Sequence, residues 1–122
     1  MATQADVRRI ALSLPETEEV QGRFAFAVRT KPKRKEFVWV WMERIDPKKA
    51  RVANPAVVAV RVPSMDVKTA MISAEPEKYF NEPHYSGYPA VLVRLAKVRV
   101  AELRPLIAEA WRTRAPAALL KK

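Results

Sequence analysis

Apolar residues recur at helical spacing near the start of the chain, at Val7, Ile10, Ala11 and Leu14, which predicts an amphipathic helix over residues 4–13. Thr3 followed by Asp6 reads as a capping box at its start. Pro15 stops the helix, because proline disfavours α backbone in the residue before it. The period then changes to two. Phe24, Phe26 and Val28 alternate with Ala25, Ala27 and Arg29, the pattern of a half-buried strand. Residues 37–42, FVWVWM, are apolar on both parities, as in a central strand covered on two sides. Trp39 and Trp41 are therefore expected in the core. Asp46-Pro47 and Asn54-Pro55 are turn-forming pairs that make 43–56 a long loop, and residues 57–62 return as a strand that Pro63 ends. Residues 64–73 read as a short helix with Ser64 as its N-cap, and residues 75–80 as a further helical turn with Pro76 near its first position. A last strand is predicted over 91–95 and a C-terminal helix over 100–114, with Leu103, Ile107, Ala110 and Trp111 on one face.

A helix, a three-strand meander, short helices, a later strand and a final helix describe an α+β domain on an antiparallel sheet flanked by N- and C-terminal helices. The 122 residues suit one domain, 1–122, large enough to bury a core without a disulfide or metal staple. Cysteine is absent, which rules out a disulfide framework and a thiolate site. The first residues lack the pattern of a signal peptide and no apolar run approaches the ~20 residues of a membrane span, so a cytoplasmic protein without a membrane partner is expected.

Charge changes the picture most. With 23 Lys+Arg against 13 Asp+Glu the formal net charge is +10, which favours an acidic partner, nucleic acid above all. The excess is concentrated. Residues 23–61 carry 11 basic and three acidic side chains, whereas residues 62–98 carry four of each. Two candidate phosphate-binding loops follow: the turn with Lys31, Lys33, Arg34 and Lys35, and the second loop with Arg44, Lys48, Lys49 and Arg51. Cations on exposed, adjustable backbone gain by releasing the counterions condensed on nucleic acid. The same runs also suit a solvated surface that keeps a protein- or small-ligand-binding domain soluble. The loops lie at opposite ends of the central strand. Residues 36–43 at ~3.3 Å each separate the tips by roughly 26 Å, somewhat under the ~34 Å of one duplex turn. Arg112 and Arg114 lie outside both loops.

A second candidate is a sheet face. Arg29, Arg61 and Arg94 point away from the core by alternation, and exposed aromatics beside them would make a stacking platform for single strands. Catalytic signals are weak. His84 is the only histidine; Glu82 and Tyr85 are near it, but it lacks a defined nucleophile partner and a second metal ligand, so a structural turn role is expected. Gly22 and Gly87 are isolated and form no phosphate-cradling loop. The expectation is a non-enzymatic module with no catalytic residue, metal or cofactor, its oligomeric state open with a lean towards the monomer.

Several segments resemble one family. Residues 14–19, LPETEE, 74–80, AEPEKYF, 83–95, PHYSGYPAVLVRL, and Ala110-Trp111-Arg112 followed by Ala115-Pro116 are similar, in this order, to the MmcQ/YjbR family. The resemblance covers nearly the whole chain, and 74–95 is its most specific part. It implies a CyaY-like α+β fold of the double-wing type and DNA as partner, and it supplies no catalytic residues. The proline-rich connection at 43–56 is longer than in the shorter members.

Overall fold

The computed structural model describes residues 1–30 and 33–120. Helix α1, Gln4–Leu12, opens with the expected capping box: the Thr3 hydroxyl accepts the Asp6 N–H and the Asp6 carboxylate accepts the Thr3 N–H. A six-stranded antiparallel sheet follows, made of β1, Thr17–Glu19, β2, Ala25–Arg29, β3, Arg34–Glu43, β4, Val52–Arg61, β5, Tyr79–Phe80, and β6, Ala90–Arg94. Its order is β1-β2-β3-β4-β6-β5. Helix α2, Met65–Ala74, crosses from β4 towards β5 and is capped by Ser64, whose hydroxyl accepts the Val67 N–H. Helix α3, Val100–Arg114, packs with α1 against β2, β3 and β4, and a short α4, Ala117–Leu120, ends the description.

The α+β fold and its antiparallel sheet agree with the sequence reading; several boundaries do not. The acidic connection after α1 is an edge strand, β1, paired with β2. Residues 75–80 do not form a helical turn throughout, because Tyr79 and Phe80 pair with Val93 and Leu92. The long loop expected over 43–56 is shorter: β3 runs to Glu43 and β4 begins at Val52. Asn54-Pro55 sits inside β4 because the register jumps there, from Val40 opposite Val58 to Trp41 opposite Asn54. A bulge tolerates a proline that has no N–H to give the ladder, and the Asn54 side chain accepts the Ala56 N–H beside it.

The two faces of the sheet differ. One buries Phe26, Val28, Val38, Val58, Val60, Val91 and Val93 beneath α1 and α3, with Ile10, Leu103, Ile107 and Trp111 from the helices. The other carries a smaller cluster of Val57, Ala59, Tyr85, Ala90 and Leu92, against which Trp39, Trp41 and Phe80 pack while staying half-buried. A second irregularity explains the split. Between Phe26 and Ala27 the pairing shifts by one residue against β3, so Phe37 and Val38 both join the helix-covered core while Trp39 and Trp41 turn to the opposite face. The expectation that both tryptophans belong to the main core is corrected by this bulge.

Candidate nucleic-acid interface

Lys31 lies outside the described residues. The other seven predicted cations fall into two groups at opposite ends of β3, and the groups are not brought together. At the first end the Thr30 N–H donates to the Lys33 carbonyl across the β2–β3 turn. Lys33 and Lys35 are exposed and make no ion pair among the described residues, whereas Arg34 is engaged by Glu18 at 3.3 Å. Arg34 and Lys35 belong to β3 rather than to a free turn.

At the second end the basic residues divide by role. The Arg44 guanidinium donates to the carbonyl oxygens of Pro47 (3.3 Å) and Lys49 (2.9 Å), and Arg51 donates to that of Met42 at 2.9 Å. These two arginines brace the loop from within. Lys48 and Lys49 are exposed at its tip, where the Asp46 carboxylate accepts the Lys48 N–H at 2.9 Å and fixes the turn. Sequence alone weighs all four equally, yet only the two lysines leave their side chains without a hydrogen bond among the described residues.

Between these ends runs the aromatic face. Trp39 Nε1–H donates to the Tyr85 hydroxyl at 3.0 Å, and the Trp39 ring meets Tyr88 edge-on. Trp41 meets Phe80 with ring centroids 5.5 Å apart, and its Nε1–H is buried without an acceptor among the described residues. Arginine planes cover two of the rings: Arg94 lies 4.1 Å from the Phe80 centroid and Arg61 lies 5.0 Å from that of Tyr88. Alternation correctly set Arg61 and Arg94 on one face, and the bulge puts the tryptophans beside them. Arg29 pairs instead with Glu16 at 2.9 Å.

Two residues were missed by sequence reasoning. Arg114, at the end of α3, lines one concavity of about 440 Å³ with Lys33, Arg34, Lys35, Trp39 and Tyr88. It is thus part of the first basic end and not outside it. No local signal could have shown this, since the contact joins residues some 80 positions apart. Lys68, on an α2 that looks amphipathic only weakly, is 3% exposed and donates to the carbonyl oxygens of Tyr85 (2.7 Å) and Tyr88 (3.0 Å). Burial pushes its pKa down. It ties the turn carrying both tyrosines to α2. His84 is exposed, stacks edge-on against Tyr85 and makes no hydrogen bond to a carboxylate among the described residues. No group of three potential metal ligands occurs among the described residues, and no helix among them is long and apolar enough to cross a membrane.

Comparison with known proteins extends the picture in one direction. A protein of Mycobacterium bovis and one of Mycobacterium tuberculosis strain H37Rv, both described as uncharacterized, are each 42% identical over 127 residues, spanning 99% of this chain and 95% of the relative. A protein of M. tuberculosis strain CDC 1551 matches to the same extent. No family model and no solved structure matches the chain.

Proposed function

The chain belongs to the family of these mycobacterial proteins, and we propose that it is a non-enzymatic nucleic-acid-binding module, with DNA as its partner, held chiefly through phosphates. One observation carries this reading: four exposed lysines without an ion pair among the described residues, Lys33, Lys35, Lys48 and Lys49, flank both ends of a single arginine- and aromatic-bearing sheet face. A stretch of polyanion crossing that face meets cations at each end and guanidinium or aromatic planes between. The resemblance to the MmcQ/YjbR family points to the same partner, and membership of that family is part of the proposal.

A second reading has its own support. Trp41, Phe80, Val57, Asn54 and Arg94 line a concavity of about 390 Å³ whose surface is mostly apolar. A mostly apolar hollow of that size, with aromatic rings and one arginine in its wall, suits a small planar ligand.

Duplex and single-strand affinity measured against salt separates the two. Four engaged lysines give a slope of about −3.6 in log K against log salt on duplex, so that a fourfold rise in salt weakens binding about 150-fold. Replacing Lys33 and Lys35 by glutamine should flatten the slope by up to ~2 units, and replacing Lys48 and Lys49 should do the same. Arg9→Gln with Arg104→Gln, on the helix layer, is the control. A control that flattens the slope as much as either lysine pair would reduce the binding to diffuse attraction and leave the small-ligand reading standing.

A further inference from the structure

Arg61 ends β4 and Arg114 ends α3, and both converge on Tyr88 at the first basic end: Arg61 donates to its hydroxyl, and Arg114 lines the same concavity as the tyrosine. Each is half-buried, and neither forms an ion pair among the described residues. The Nε–H of each is shut off from solvent without an acceptor among the described residues. Buried, unsatisfied donors on two like charges cost stability and call for an explanation. A helix C-terminus favours cations, which accounts for Arg112 and Arg114 on α3; it does not account for Arg61 on the tyrosine that Arg114 also approaches. Burial first, and repulsion from Arg61 second, weaken the hold of Arg114 on its proton.

The surrounding groups do not relieve this charge. Glu36, the one acid among the described residues that line the concavity, is engaged by Arg23, and Glu18 is engaged by Arg34. Tyr88 is 40% exposed, and its hydroxyl accepts from Arg61 at 2.7 Å. An arginine can only donate, so the phenol keeps its own proton to give to an anion. Lys33 and Lys35 stand on the rim, exposed and without an ion pair among the described residues. We propose that Arg61, Arg114 and Tyr88, with Lys33 and Lys35 at the rim, form a seat for one phosphate group. Paired guanidinium forks match the oxygen geometry of phosphate better than they match a single carboxylate oxygen. The seat explains why two arginines converge on one tyrosine while neither forms an ion pair among the described residues. It rests on the nucleic-acid reading for the source of the phosphate, which can be a strand terminus, a backbone diester or a small phosphorylated molecule.

The test uses the whole protein at pH 7.5 and fixed ionic strength, with four probes: a 5′-phosphorylated thymidine octamer, the same octamer with a 5′-hydroxyl, thymidine 5′-monophosphate, and inorganic phosphate. Tryptophan fluorescence beside the seat and calorimetry both report binding. The expected result is a preference of about tenfold for the phosphorylated octamer, the worth of one charge-assisted bidentate contact. That preference should vanish in both Arg114→Gln and Arg114→Lys and persist in Lys48→Gln/Lys49→Gln. The lysine variant keeps the charge, so its failure separates a shaped seat from general attraction. Equal binding of both octamers, weakened alike by Arg114→Gln and Arg114→Lys, supports the seat with a backbone diester as occupant. Binding of the mononucleotide or inorganic phosphate alone, abolished by Arg114→Gln, supports the seat and overturns the nucleic-acid reading. All four probes binding Arg114→Gln as they bind the wild type, or none binding the wild type, overturns the seat. Removing a repelled, half-buried charge should leave the urea midpoint of Arg114→Gln unchanged or raised, so lost binding cannot be put down to unfolding.

Discussion

Trp111 and Trp39 are the same residue type in opposite circumstances. Trp111 is 6% exposed, packs within the helix-covered core, and donates its Nε1–H to the Pro15 carbonyl at 2.9 Å, joining the end of α3 to the end of α1. Trp111→Ala should cost about 3–5 kcal/mol through lost burial and the cavity left behind. Trp39→Ala, on the half-covered face, should cost clearly less; urea midpoints of the two variants decide it, and equal losses would mean that the second face is as tightly packed as the first. Glu102 works by charge. Its carboxylate receives the Lys78 ammonium and the Arg99 N–H, which hold its pKa at about 2, against an ordinary 4.5. The folded carboxyl binds its proton less tightly than the unfolded one, so its contribution is complete above pH ~4.5 and is lost as pH falls through about 2. Between those values the urea midpoint of the wild type should fall more steeply with acid than that of Glu102→Gln. Parallel curves would mean that the Lys78 contact is not populated in solution.

At the scale of elements, regular periods were legible and irregular ones were not. Helix α3 was predicted over its full span, and α1 to within a residue, because their apolar faces repeat at helical spacing and the ends of α1 are marked by Thr3 and Pro15. Strand β1 escaped because Thr17, Glu18 and Glu19 carry no apolar alternation; an edge strand needs only its backbone to pair with β2. The β4 start escaped because Asn54-Pro55 is a turn pair nearly everywhere except at a bulge. The β3–β4 connection shows what remains hidden after the elements are placed. Arg44 and Arg51 fold their forks back onto its carbonyl oxygens, and Lys48 and Lys49 do not. Lys48→Gln/Lys49→Gln should therefore leave amide exchange in residues 44–51 unchanged while reducing nucleic-acid affinity. Arg44→Gln/Arg51→Gln should speed exchange in the same segment several-fold, as the local opening energy falls. Exchange that responds equally to both pairs would contradict this division of roles.

Across the whole molecule, the first basic end is assembled from β3, β4, α3 and the turn before β6, which are distant in sequence. A positive balance in residues 23–61 locates Lys33 and Lys35, but it says nothing of Arg114, which only the packing of α3 across the sheet delivers. Both sheet edges are short, three residues in β1 and two in β5, so little unpaired backbone is offered to another chain. The turn holding Tyr85 and Tyr88 has a different security. Lys68 reaches it from α2 and spends two of its three N–H donors on carbonyl oxygens there. An acylating reagent needs the lone pair of the free amine, which Lys68 offers only when the turn lifts away. The extent of Lys68 modification, followed by mass spectrometry, is thus a clock for that opening. Surface lysines such as Lys48 should react first and in proportion to reagent, whereas Lys68 should react last and, at high reagent, at a rate that no longer depends on it. Once acylated, Lys68 has lost its charge and two of its donors, and the turn can return only to the weaker hold of Trp39 on Tyr85 and Arg61 on Tyr88.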